Sequence, residues 1–120
     1  PGWQSIRHEW HRYQVWGFDS SGGWTAQKLI DYANNQLAND IKDWNGNWLF
    51  IGEWSLATAG DVNMSDDNTL RSYARAQLGA FSKAKGGWTY WTWKFYNDDG
   101  SSRNQWSMKS MIKMGLLWML

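Results

Sequence analysis

Glu53 closes an almost unbroken apolar run, Trp48 to Ile51 and Gly52, and is followed by small, loop-forming residues in the stretch WLFIGEWSLATAG. A carboxylate at the end of a buried strand can serve as a nucleophile or in proton transfer, provided that neighbours hold its rotamer and its charge. His11 and Tyr13 share one face of a second β-rich stretch, IRHEWHRYQVW at 6–16, at a spacing of two. The chain also holds 12 Trp, 5 Tyr and 4 Phe in 120 residues. Flat aromatic faces with a polar edge stack on sugar rings, but they fill cores equally well, so position must decide between the two uses.

These groups need elements to hold them. Residues 6–16 alternate β-formers with polar residues up to Gly17 and read as a strand, followed by the loop DSSGG. From Thr25 to Trp44, the residues Leu29, Ile30, Ala33, Leu37 and Ile41 recur at helical spacing, with Thr25 as cap and Asn45-Gly46-Asn47 as stop. The apolar run ending at Glu53 is a second strand, apolar on both faces as in a parallel sheet covered on both sides. A second helix follows, with Leu70, Tyr73, Ala74, Gln77, Leu78 and Phe81 on one face and a stop at Gly86-Gly87. A third strand, WTYWTWKFY at 88–96, ends at the turn NDDG, and residues 105–120 space Met108, Met111, Ile112, Gly115 and Leu116 as a last helix.

The order β-α-β-α-β-α, without linker or repeat, predicts an α/β fold of parallel layers forming one unit over 1–120. Chemistry in such folds gathers at the carboxyl ends of the strands. Glu53, His11, Tyr13, Trp91 and Trp93 all lie toward those ends.

Other functions are disfavoured. A net charge of +1, with both signs interspersed, gives no footprint for nucleic acid or an anionic membrane. No apolar run approaches the roughly 18–20 residues that span a bilayer. Without cysteine there is neither disulfide nor thiolate metal site. HEWH at 8–11 lacks the second spacer of a zinc helix and sits on a strand. The segment from Asp61 to Ser72 has Asp66 and Ser72 where a calcium loop needs glycine and glutamate. Neither metal nor cofactor is expected. Asn63-Met64-Ser65 is a glycosylation sequon in a loop, compatible with secretion. The chain opens at Pro1 without a leader, which reads as a cut or processed start.

Four ordered motifs carry a resemblance. His11-x-Tyr13-Gln14 on the first strand, GEWS at 52–55, YARAQLGAF on the helix between, and GGWTYWTWK on the last strand together resemble the C-terminal part of family 5 glycoside hydrolases, with the closest look to fungal-type exo-β-1,3-glucanases. The resemblance implies the last three β/α units of a TIM (β/α)8 barrel. It also implies that Glu53 is the nucleophile of a retaining hydrolase, with His11 and Tyr13 reaching toward the reaction centre and Tyr13 bonding Glu53. Trp91 is the implied platform under the reacting sugar, and Trp93 and Trp54 are further candidate substrate contacts. The partner is a β-glucan or oligosaccharide, and the implied location is extracellular or the cell wall.

Departures from the family matter as much. Its acid/base is a glutamate preceded by asparagine, and no Asn-Glu pair occurs here. A barrel takes about 200–250 residues or more, so 120 cannot close one. Glu9 shares the parity of His11 and Tyr13 but lies further back, where it packs or pairs below the site, and Asp98 and Asp99 belong first to a turn. The family's Thr-Asp-Cys after the nucleophile strand is replaced by LATAGDV. The expectation is therefore a glucanase fragment with its nucleophile and without its acid, prone to self-association through open sheet edges. A non-catalytic carbohydrate-binding piece is the alternative.

Overall fold

The computed structural model describes residues 6–118. In chain order its elements are β1 (His8–His11), a 3-10 turn (Ser20–Gly22), α1 (Ala26–Tyr32), a π-helical turn (Ala33–Leu37), α2 (Ala38–Lys42), β2 (Leu49–Glu53), α3 (Asp67–Phe81) and α4 (Met108–Lys113). α1, the π turn and α2 follow without a break, as the periodicity predicts. Thr25 caps them, its hydroxyl accepting from the Lys28 amide at 3.2 Å. Asp66 caps α3 in the same way.

The five apolar positions of the first helix and the five of α3 are all buried, from Leu29 and Leu37 to Tyr73 and Phe81, and so is the polar Gln77 on the same face of α3. Together with Leu49 and Ile51 of β2 and Met111 of α4 they form one core. Covering is one-sided among the described residues: Leu49 and Ile51 are buried, whereas Phe50 is only half-buried and Trp48 is exposed. The run is apolar on both faces, yet the structure buries one.

β1 pairs with β2 in parallel. His8, Glu9 and Trp10 face Leu49, Phe50 and Ile51, and then the register shifts so that His11 stands opposite Glu53. Gly52 is the extra residue, a bulge that reverses the alternation of β2. Before it Leu49 and Ile51 point into the core; after it Trp54 does, and Glu53 is released from the core side.

Three sequence-based expectations need correction. The first strand stops at His11 instead of running to Trp16, because the chain turns over residues 14–17 with Gly17 at φ 81°. No third strand forms over 88–96: after one bridge, Trp88 to Ile51, the backbone of Thr92 and Trp93 bonds to Trp106, Met108 and Lys109 and so leaves the sheet. The last helix ends at Lys113, with Gly115 at φ 69° just beyond it, and Met119 and Leu120 lie outside the described residues.

Gly86 has a different task from the helix stop assigned to it. α3 already ends at Phe81, and the Gly86 amide bonds Leu49 O at 2.7 Å. A Cβ there would lie 2.6 Å from that same oxygen, so only glycine lets the chain come this close to β2.

Candidate active site

The end of β2 delivers Glu53, and the turn after β1 delivers its partner. The Tyr13 hydroxyl donates to Glu53 Oε2 at 2.5 Å. Burial foremost, and then the bond to Glu53 and its charge, push the Tyr13 phenol well above its ordinary value, so it remains a donor at neutral pH. The turn is itself fixed from below: Gln14, 2% exposed, accepts from the buried Tyr73 hydroxyl of α3 at 2.8 Å.

The bulge at Gly52 brings His11 beside Glu53, with Nδ1 3.5 Å from Oε2. Its other nitrogen, Nε2, is 2.6 Å from Glu9 Oε1. The imidazole therefore stands between two carboxylates, and each ring nitrogen faces one of them. Glu9 pairs with His11 across Gly52, where a Cβ would meet Glu9 Oε1 at 1.7 Å. The bare backbone of Gly52, the extra residue of the bulge, thus seats the carboxylate that orients His11.

Aromatic side chains wall the site. Trp91 is 45% exposed, and its amide bonds Trp54 O at 2.9 Å, which ties it to the residue after Glu53. Its ring meets Trp106 edge-on at 5.7 Å. Trp106 in turn lies 5.6 Å from the Tyr13 ring, and Trp16, largely exposed, meets Tyr13 edge-on at 5.7 Å.

Glu53, His11, Tyr13 and Trp91 are thus brought together. Trp93 is exposed, but among the described residues its ring joins none of these aromatic contacts. Trp54 does not reach the site at all: it is fully buried against Phe81, Trp88 and Tyr90. The bulge explains this, since unbroken alternation from Leu49 and Ile51 would have buried Glu53 and turned Trp54 outward.

Sequence reasoning missed Trp16 and Trp106. Trp16 has the wrong parity for a strand continuing past Tyr13, and only the turn at 14–17 returns it to the site. Trp106 reads as the start of a helix, whereas it precedes the true cap, Ser107, whose hydroxyl accepts from the Ser110 amide. Asp98 and Asp99 are occupied locally. Asp98 accepts from Ser107 Oγ and from the Gly100 amide, and hydrogen bonds with Ser107 first among them hold its carboxyl below the ordinary range. Among the described residues, no group of acidic or histidine side chains could hold a metal ion.

A scan against models of known families finds no match, and a search of the curated proteins finds none either. Solved structures do match. The chain is similar to rutinosidase from Aspergillus niger, with a TM-score of 0.61 and 20% identity, over 92% of this chain and 30% of that one. It is similar also to AoRut, with a TM-score of 0.60 and 18% identity, over 92% and 30%. At these identities the likeness is one of fold, and the chain spans 30% of the length of each of these two structures.

Proposed function

We propose that the chain is the nucleophile-bearing part of a retaining β-glycosidase of the β-1,3-glucanase type, built as a C-terminal piece of a TIM barrel. The observation that carries this reading is Glu53 at a strand end, bonded by Tyr13, faced by His11 and bordered by the exposed Trp91. In a retaining reaction one carboxylate attacks the anomeric carbon while an acid about 5–5.5 Å away protonates the departing oxygen. Water then releases the glycosyl-enzyme. Glu53 suits the first role, since the hydrogen bond from Tyr13 holds its rotamer at the strand end.

The second carboxylate has no matched residue. The chain contains only one other glutamate, Glu9. Its Oε1 is engaged by His11, and the imidazole separates it from Glu53. Hydrolysis of ordinary β-glucan by this chain alone is therefore expected to be absent. A radius of gyration of 15.0 Å, against about 13–14 Å for a compact chain of this length, supports the reading as a piece of a larger body. β-Glucan as substrate and an extracellular location follow from the resemblance of motifs.

An activated substrate tests the nucleophile without needing the acid. A 2-fluoro β-glucoside with a dinitrophenolate leaving group should label Glu53 covalently, as read by peptide mass spectrometry, and label nothing in Glu53→Gln. No adduct on Glu53, or equal labelling in the variant, overturns the assignment. A second reading, a self-associating piece that grips carbohydrate without catalysis, is favoured by the single-partner pairing of β1 and by the exposure of Trp16 and Trp48.

A further inference from the structure

Lysines gather at the end of β2 that lies away from Glu53. Leu49 opens the strand and Glu53 closes it, about 13 Å apart at the ordinary rise of a strand. Beside Leu49 a cavity of about 260 Å3 opens between the turn that leads from α2 into β2 and the turn that follows α3. Its lining includes Lys42, Lys83 and Lys85, together with Trp44 and Trp48. Ligand sites of drug size span roughly 300–1,000 Å3, so this smaller space suits one compact molecule.

Both walls are fixed by the fold. Trp44 donates from Nε1 to Asn47 O at 2.6 Å, and a Cβ on Gly46 would lie 2.5 Å from the Trp44 ring, so the turn closes tightly on its own indole. Trp44 packs in turn against His8 and Trp10 of β1. On the other side the Gly86 amide ties the turn over 83–85 to Leu49 O, and the Ala84 amide bonds Phe81 O. The room between the walls is therefore built in, and the three lysine side chains stand exposed around it.

Charge sets this place apart. Among the described residues, ion pairs join carboxylates to His11, Arg12 and Arg103. Lys42, Lys83 and Lys85 take part in none of them, and neither does Arg7, whose guanidinium lies 5.1 Å over the Trp48 ring. Asp43 is the one carboxylate in the segments 42–49 and 83–85. The carbonyl ends of α2 and α3 also lie here, each equivalent to about half a negative charge. About two positive charges are left over at this end, although the whole chain carries only +1.

Three ammonium groups around a small space suit a compact anion with more than one charge. A phosphate monoester is such an anion, near −2 at neutral pH, whereas a carboxylate brings only −1. Trp48 is 57% exposed, and its indole offers apolar contact to a ring that carries the phosphate. We propose that this cavity binds a phosphate monoester borne on a ring with an apolar face, as in a sugar phosphate or a nucleotide. The site shares no residue with the surroundings of Glu53 and is independent of the glycosidase reading.

The test is an NMR titration of the 120-residue chain with inorganic phosphate, glucose 6-phosphate and adenosine monophosphate in turn. Glucuronate and methyl β-glucoside are the singly charged and neutral controls. At least one ring-bearing phosphate should shift the Trp48 indole and the amides of 83–85, and bind about three- to tenfold more tightly than inorganic phosphate, the yield of one aromatic contact. The tighter of the two names the ring. Glucuronate should bind more weakly than either, and methyl β-glucoside should move only the indole signals of Trp91 and Trp106. Raising the salt from about 20 mM to about 0.2 M should weaken phosphate binding several-fold. Lys83→Gln and Lys85→Gln together should weaken it about tenfold and, since both side chains are exposed, leave the melting temperature nearly unchanged.

Phosphates that shift nothing over 42–49 and 83–85 overturn the site and leave the Glu53 reading intact. So does binding that survives undiminished in the double lysine variant. Inorganic phosphate bound as tightly as both esters overturns the ring-bearing ligand.

Discussion

The Tyr13 hydroxyl donates to Glu53 Oε2 over 2.5 Å, joining the turn after β1 to the end of β2 across 40 residues of sequence. A hydrogen bond to a charged group contributes about 1.5–3 kcal/mol. Tyr13→Phe should therefore slow covalent labelling of Glu53 by the activated glycoside about 10- to 100-fold while changing the melting temperature little. An unchanged labelling rate would mean that the bond positions nothing of chemical consequence.

Gly52→Ala tests the seat of Glu9. The new Cβ would collide with the far end of an exposed, flexible side chain, so the fold should survive while Glu9 swings away from His11. The imidazole 15N signals of His11 should move, and Glu9→Gln should move them too. Signals that stay put in both variants would show that Glu9 does not orient the ring.

Trp54 and Trp91 should respond in opposite ways to truncation. Trp54→Ala empties a fully buried site and should cost about 3–5 kcal/mol in denaturant unfolding. Trp91→Ala should cost far less and abolish the shifts that methyl β-glucoside is expected to induce in the indole NMR signals of the site. A Trp91 variant as unstable as the Trp54 variant, with sugar response retained, would reverse the two assignments.

Acid should act through the turn before α4. Hydrogen bonding holds the Asp98 carboxyl below its ordinary value of 3.8, so the stability it confers is complete above that value and is lost as the pH falls through the lower folded-state value. Unfolding followed from pH 6 to pH 2 should show an acid limb that is shallower in Asp98→Asn. An identical limb would mean that other carboxylates govern it. At the alkaline end, Tyr13 is raised above 10.0, so its contribution persists below that pH and is lost as the pH climbs through the raised value.

The sheet edge predicts association. β1 pairs only with β2 among the described residues, and Trp48 beside β2 is exposed. Sedimentation velocity should show oligomers that grow with concentration. A single compact monomer over a broad range would remove the idea.

Much of this arrangement was legible in the residues, and the rest was hidden for physical reasons. Both long helices could be read because caps and 3.6-residue spacing agree, as at Thr25 with Leu29 and Leu37. The proximity of His11, Tyr13 and Glu53 could be expected from parity and strand ends. The third strand could not be rejected, since WTYWTWKFY is β-rich throughout. Its failure is decided by Thr92 and Trp93, whose backbone groups bond to residues 106–109. Trp54 was misplaced because alternation is a local rule, and one extra residue at Gly52 resets it.

That bulge also matters for comparison with chains of similar fold and little shared sequence. At 18–20% identity, the correspondence of residues along β2 rests on few matching letters. A gap of one position placed anywhere from Leu49 to Trp54 would exchange the outward carboxylate for a core indole in the comparison, while hardly changing its score. Alignments through this stretch are best anchored on the position opposite His11, since counting along β2 from either end carries the error forward.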